Sequence, residues 1–190
     1  MNPLERKIIL ASTSPRRSQL LKEAGFQFEV KTKDVEETYP PEMPVEEVAG
    51  FLARKKALAA HDFIQEDEII LAADSVVIIN NVIYGKPLDY ADACQMIRTL
   101  SGQMHRVITG VCLLSKDKER VFSAISDVLF EPLSDAEIDY YVQRYKPYDK
   151  AGSYAIQEWI GLCKISRIEG TFTNIMGLPV DMVYRELMTF

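Results

Sequence analysis

The chain has 190 residues, 47% hydrophobic and 26% charged, an ordinary globular composition long enough for one domain with a sizeable core or two small lobes. Its net charge of −6 argues against general affinity for nucleic acid or anionic membranes, so any anion site must be a local cluster of basic residues. No run approaches the ~18 apolar residues of a membrane span, the N-terminal apolar stretch is too short for a signal peptide, and Cys94, Cys112 and Cys163 match no metal pattern; the expectation is a cytoplasmic protein with reduced thiols.

In chain order, "KIILA" (7–11) reads as a buried strand feeding a helix over Ser14–Ala24. Ser14 is its predicted N-cap, Pro15 occupies the first helical position, and Gly25 can end it. Phe26, Phe28 and Val30 alternate as a second strand, and the acidic, Pro-rich stretch 33–44 is a loop. A long helix is predicted from Val45 to about Phe63. "EIILAADSVVIIN" is a strand region interrupted by Asp74-Ser75, and Asn80-Asn81 is a two-residue hairpin turn into "VIYG". Asp89–Leu100 is a helix stopped by Ser101-Gly102, and strands at 104–114 and 120–130 flank a "KDKE" turn. Ser134 caps a helix reaching Tyr145, with Glu137 completing a capping box. A strand at 162–168 and a helix from Pro179 close the chain. Helices interleaved with hairpins predict an α/β protein with a mixed sheet rather than a strict parallel array.

Several stretches carry chemistry. Arg16 and Arg17 stand in the first turn of the first helix, where the dipole is positive and acidic residues are favoured. Either these arginines point into water, or they await an anion together with the Ser12 and Ser14 hydroxyls and the helix N–H groups, the equipment a phosphate chain requires. On the long helix, Val45, Val48, Leu52, Ala59 and Phe63 form one apolar stripe that contains Lys56, with Lys55 near its other edge. Lys56 either snorkels outward along its stem or delivers an ammonium to an internal anion. Asp74 should sit at a strand end near the core, where a carboxylate needs a cap, a partner or a metal; Ser75 adds a hydroxyl, and Glu36 and Glu37 are the nearest candidates for a second carboxylate. Gly85 and Pro87 constrain a turn around Lys86. In "YDKAGSYAIQEW" (148–159), small residues permit either close approach to a flat ligand or tight strand-and-turn packing, and Gln157 offers both donor and acceptor. His61 and His105 lack paired ligand spacing and read as structural.

Taken together and in register, "LASTSPRR", "VEE", "LARKKA", "AADS", "YGKP", "LSGQMHRVITGV", "DKAGSYAIQ" and "IMGLP" resemble the Maf family of nucleoside triphosphate pyrophosphatases nearly end to end. The resemblance implies one pyrophosphatase domain over 1–190, a twisted mixed sheet flanked by helices, and two lobes around a central cleft. It implies catalytic roles for Asp74, Glu37, Lys56 and Lys86, with Asp74 and Glu37 holding Mg²⁺ or Mn²⁺, and it leaves open whether Lys55 shares the part given to Lys56. Members similar to the dTTP/UTP pyrophosphatases carry Arg after "SP", Thr after the Asp and Gln in "IQ"; here these are Arg16, Ser75 and Gln157. Ser12, Ser14, Arg16, Arg17, Ser75 and Gln157 are accordingly the implied substrate and specificity residues. The chain departs from the family pattern at Ser75, at Ser153 and Ala155, and in "EW" after Gln157. The implied reaction takes a pyrimidine nucleoside triphosphate to its monophosphate and pyrophosphate, with no stable nucleic-acid partner, no membrane, and a homodimer as the family tendency. A nucleotide-binding regulator of septum formation and a pyrophosphatase of the 7-methyl-GTP or purine type are the alternatives.

Overall fold

The computed structural model describes residues 2–190. Strands β1 (Ile8–Leu10), β2 (Phe28–Val30), β3 (Ile69–Ile79), β4 (Val82–Tyr84), β5 (Met104–Leu114), β6 (Glu119–Phe130) and β7 (Ile165–Glu169) form a sheet in the order β2-β1-β3-β5-β6-β7, with β4 paired to β3 off that path. β1 runs parallel to β2 and β3, whereas β4 is antiparallel to β3 and β7 to β6, so the sheet is mixed as the interleaved pattern predicts. The helices are α1 (Pro15–Glu23), α2 (Val48–Ala59), α3 (Tyr90–Leu100), α4 (Asp135–Tyr145), α5 (Trp159–Cys163), α6 (Phe172–Met176) and α7 (Val180–Thr189). Among the described residues no helix is long and apolar enough to cross a membrane.

The chain divides into two compact units. One comprises Met1–Asp74, Thr109–Ala124 and Gly177–Phe190; the other comprises Ser75–Ile108 and Ile125–Met176. In the first unit, Ala53 and Ala57 of α2, with Ala60 just past its end, pack with Ile9, Ile70, Ala72 and Cys112. Such small side chains let the helix lie close to the strands. Gly110 on β5 tightens the fit, because a Cβ there would stand 2.3 Å from the Ala49 carbonyl carbon and the Gly50 nitrogen. The seat of α2, and with it the placement of Lys55 and Lys56, depends on that missing side chain.

The second unit has its own core, in which Ile97, Leu100, Val107, Phe130, Tyr141 and Tyr154 are all buried. His105 belongs to it: the ring is 2% exposed, its Nε2 lies 2.7 Å from the Tyr154 hydroxyl, and Phe130 packs edge-on against it. Burial lowers the imidazole pKa to about 4, well below its ordinary value. A group whose folded value is depressed supplies stability that is present above its unfolded value and lost as pH falls through its folded value. His105 is therefore expected to cost the fold about 3 kcal/mol as pH falls from about 6.5 to about 4. Urea unfolding across that window should be steeply pH-dependent in the natural chain and flatter in His105→Gln. Parallel profiles for the two proteins would refute a buried neutral imidazole.

Local signals account for most of the boundaries. Asp89 caps α3 through the Asp92 N–H, and Ser134 with Glu137 forms the predicted capping box on α4. Asn80 and Asn81 have φ of 51° and 61°, the paired left-handed geometry of a tight hairpin turn, and Ile79 pairs with Val82 across it. Four expectations need correction. Ser14 occupies the N-cap position of α1 but makes no side-chain cap hydrogen bond. The predicted helix 45–63 is shorter: α2 opens at Val48 after a turn in which Glu47 N–H donates to the Pro44 carbonyl, and His61–Phe63 is a separate 3₁₀ turn. β3 is not interrupted at Asp74-Ser75; it runs unbroken through both, so Asp74 lies in mid-strand with a cationic partner rather than at a strand end. The strand expected at 162–168 starts at Ile165, because 159–163 winds into α5.

Candidate active site

In the first unit, the turn after β1 gathers the predicted phosphate equipment. Ser12 is 8% exposed, and its Oγ accepts from the Ser14 N–H at 3.2 Å and from Arg17 Nη1 at 3.1 Å. Arg17 Nε donates to the Gly177 carbonyl at 2.8 Å, so the guanidinium clamps the turn to the segment leading into α7. Burial lowers the Arg17 pKa, the positive field of Arg16 adds to that, and the carboxylates of Asp74 and Glu37 pull against it. Two arginines, a helix start and two carboxylates thus share one electrostatic neighbourhood.

Lys56 is the hub of that neighbourhood. Its side chain is only 17% exposed, on the face of α2 that also buries Leu52 and Ala53. It does not snorkel away. Its Nζ donates to Asp74 Oδ1 at 2.5 Å and to Glu37 Oε1 at 2.7 Å. Asp74 is 11% exposed at its side chain and Glu37 is 44% exposed, so one carboxylate is supplied by the strand interior and the other by the loop. Glu36 does not join them through its carboxylate; its carbonyl accepts from Lys55.

This geometry bears on a divalent ion. Among the described residues no group of three or more His, Cys, Asp or Glu side chains could hold a metal. Yet two carboxylates do converge on a single cation, the Lys56 ammonium. Two carboxylates completed by substrate oxygens are the usual donor set for Mg²⁺, which seldom has an all-protein cage, so the residues present fit an ion that arrives with a polyphosphate.

The second unit holds the remaining predicted residues. Ser75 follows Asp74 directly in β3. Lys86 is exposed on the turn after β4, and the neighbouring Gly85 carbonyl accepts from the Gly152 N–H at 3.0 Å. Gly152, with φ of 67°, lies so close to Val77 that a Cβ would meet the valine side chain at 2.9 Å. Of the two uses foreseen for the small residues at 151–155, the structure therefore displays tight packing. Further along the same loop, Gln157 Oε1 is buried with no hydrogen-bond partner in the protein. An orphaned amide oxygen costs about 1–3 kcal/mol unless something satisfies it.

Sequence reasoning missed the scaffolding of that loop. The Tyr141 hydroxyl donates to Glu158 in a short hydrogen bond and accepts from the Ala155 N–H at 3.1 Å. Lys150, 8% exposed, reaches Asp149 at 2.7 Å and Glu158 at 3.5 Å. Gln157 thus sits between two anchored neighbours. A tyrosine one helix away leaves no mark on local periodicity; the acidic residue directly after Gln157 was the one visible signal.

Comparison with known proteins places the chain among described relatives. Residues 7–190 match the family model described as Maf-like protein. A dTTP/UTP pyrophosphatase of Phocaeicola vulgatus is 51% identical over 182 residues, covering 95% of this chain and 94% of the relative. One from Porphyromonas gingivalis is 50% identical, covering 97% and 94%, and one from Flavobacterium johnsoniae is 46% identical, covering 96% and 94%.

Proposed function

The chain belongs to the Maf-like protein family, and from that premise we propose that it hydrolyses the α–β phosphoanhydride of dTTP and UTP, releasing the nucleoside monophosphate and pyrophosphate. The observation that carries this reading is the Lys56 ammonium held between Asp74 and Glu37 in the same unit as the Ser12–Arg17 turn. Carboxylates set beside a basic, hydroxyl-bearing helix start suit hydrolysis of a polyphosphate better than simple retention of it, because like charges repel.

Each residue has a role in this reading. Asp74 orients the attacking water and accepts its proton; the scissile bridging P–O bond breaks and the departing group takes the electron pair. Lys56, Lys86 and Arg17 offset the charge that develops on the phosphoryl oxygens, while Ser12, Ser14 and the helix start position the chain of phosphates. Asp74 and Glu37 would hold Mg²⁺ or Mn²⁺, which when bound draws charge from those oxygens. The amide of Gln157 accepts from the N3–H of thymine or uracil and donates to a ring carbonyl; Arg16 donates to another carbonyl or stacks on the ring. Ser75 keeps a hydroxyl beside the carboxylate. The whole chain works as one domain, in the cytoplasm, on free nucleotide.

The test is a panel of triphosphates with pyrophosphate release as readout. dTTP and UTP should be the best substrates. Cytosine inverts the N3–H and C4 carbonyl pattern and leaves buried groups unpaired, so CTP should lag by about tenfold or more, and purines should be poor. Excess EDTA should stop turnover and Mg²⁺ or Mn²⁺ should restore it. A panel led by GTP, 7-methyl-GTP or ITP would reject the pyrimidine assignment, and tight nucleotide binding without pyrophosphate release would reject the hydrolase.

A further inference from the structure

Lys55 stands next to Lys56 on α2 yet points elsewhere, since successive helical residues are turned by about 100°. Its ammonium donates to the Glu36 carbonyl at 2.7 Å, to the Thr38 carbonyl at 3.2 Å and to Thr38 Oγ1 at 3.1 Å. An ammonium has three N–H donors, and these acceptors match them. They also flank a single residue, Glu37, whose own carboxylate takes the Lys56 ammonium.

We propose that Lys55 is a positioning residue for Glu37: it staples the loop backbone on both sides of that glutamate to α2, so that the carboxylate is set in place before substrate or metal arrives. The need for a staple follows from the segment itself. No strand or helix runs through 31–47, and Glu36, Glu37, Thr38, Tyr39 and Pro40 are all exposed, so burial does little to fix them. Earlier in the loop Lys33 pairs with Asp62 at 2.6 Å. The ion pair of Glu37 with Lys56 orders the loop less firmly, because the 44%-exposed glutamate end of it is long, loses freedom and is screened by water. Charge-assisted bonds to backbone carbonyls are stronger and fix main-chain geometry directly. The two lysines therefore divide the work: Lys56 meets the carboxylates, and Lys55 meets only the chain that carries one of them.

The inference rests on the proposed role of Glu37, and the test separates the two. In the full-length chain without metal or nucleotide, Lys55→Met should speed amide hydrogen exchange at Glu36–Tyr39 by about tenfold or more, while the core of α2 keeps its protection. Lys55→Arg, which can still bridge two carbonyls, should restore the slow exchange. With nucleotide, Lys55→Met should raise the Mn²⁺ concentration for half-maximal pyrophosphate release by about 10- to 100-fold, the range for losing a group that orients a metal ligand. In a Glu37→Gln background the same substitution should add less than about twofold, since the residue it serves is already disabled. Unchanged exchange at Glu36–Tyr39, or a full multiplicative loss on top of Glu37→Gln, would overturn the assignment, the latter by making Lys55 a phosphate ligand in its own right. An inactive natural chain would overturn the pyrophosphatase reading instead, and the exchange arm would still decide Lys55.

Discussion

Asp74→Asn is expected to lower kcat for dTTP and UTP by about 10²- to 10⁴-fold, the range for removing a general base, while the protein stays folded and keeps its nucleotide. Asp74 stands in the middle of β3, flanked by Ala73, which is fully buried, and its carboxylate faces the Lys56 ammonium at 2.5 Å. Asparagine has the same shape and keeps one oxygen to accept from Lys56, and Glu37 still pairs with that ammonium, so the fold should lose only about 1–3 kcal/mol. What asparagine cannot do is take a proton from water. Removing a negative charge beside the phosphates also reduces repulsion, so calorimetric titration with dTTP should give affinity equal to or tighter than that of the natural chain. Pyrophosphate release and nucleotide titration on the same preparation check both halves. Retention of more than about a tenth of kcat would make Asp74 a structural partner of Lys56 and remove it from the chemistry.

How much of this was legible in the sequence depends on the range of each signal. Caps and turns act over three or four residues, and there the reading holds: the Ser134–Glu137 box, the Asn80-Asn81 hairpin and the Pro15 start are where composition puts them. Five-residue helices such as α5 and α6 hold little more than one turn, so they carry no periodicity to detect. Asp74 illustrates a different failure. A carboxylate inside an apolar run reads as an interruption unless its partner is known, and that partner lies 18 positions away on α2. The apolar stripe did locate Lys56 on the buried side, because side-chain direction along a helix follows from spacing alone. Spacing could not tell that Lys55 bonds to loop carbonyls, that Arg17 clamps Gly177, or that Tyr141 braces the loop of Gln157. Those contacts belong to tertiary geometry, and the motif resemblance supplied the residues without the reasons for their placement.

Lys56→Met offers the sharpest separation between a structural ammonium and a catalytic one. Methionine replaces most of the aliphatic stem on the helix face that also buries Leu52 and Ala53, so the substitution removes the charge with little loss of packing. If Lys56 offsets charge on the transferring oxygens, kcat should fall by about 30- to 1,000-fold, equivalent to about 2–4 kcal/mol of transition-state stabilisation. Metal binding should move the other way. In the natural chain the ammonium occupies the space between Asp74 and Glu37, at 2.5 and 2.7 Å, and competes with any divalent ion for the same carboxylates. Without it the two carboxylates lose their shared cation, and a divalent ion becomes the natural replacement. Mn²⁺ titrated into the nucleotide-free variant should therefore bind more tightly than to the natural chain, even as turnover collapses. The double variant Lys56→Met with Asp74→Asn should lose less activity than the product of the single losses, because the two groups form one hydrogen-bonded unit. A variant with near-normal kcat and unchanged Mn²⁺ affinity would show that Lys56 only ties the loop to the strand, and would shift the charge-offsetting role to Lys86 and Arg17.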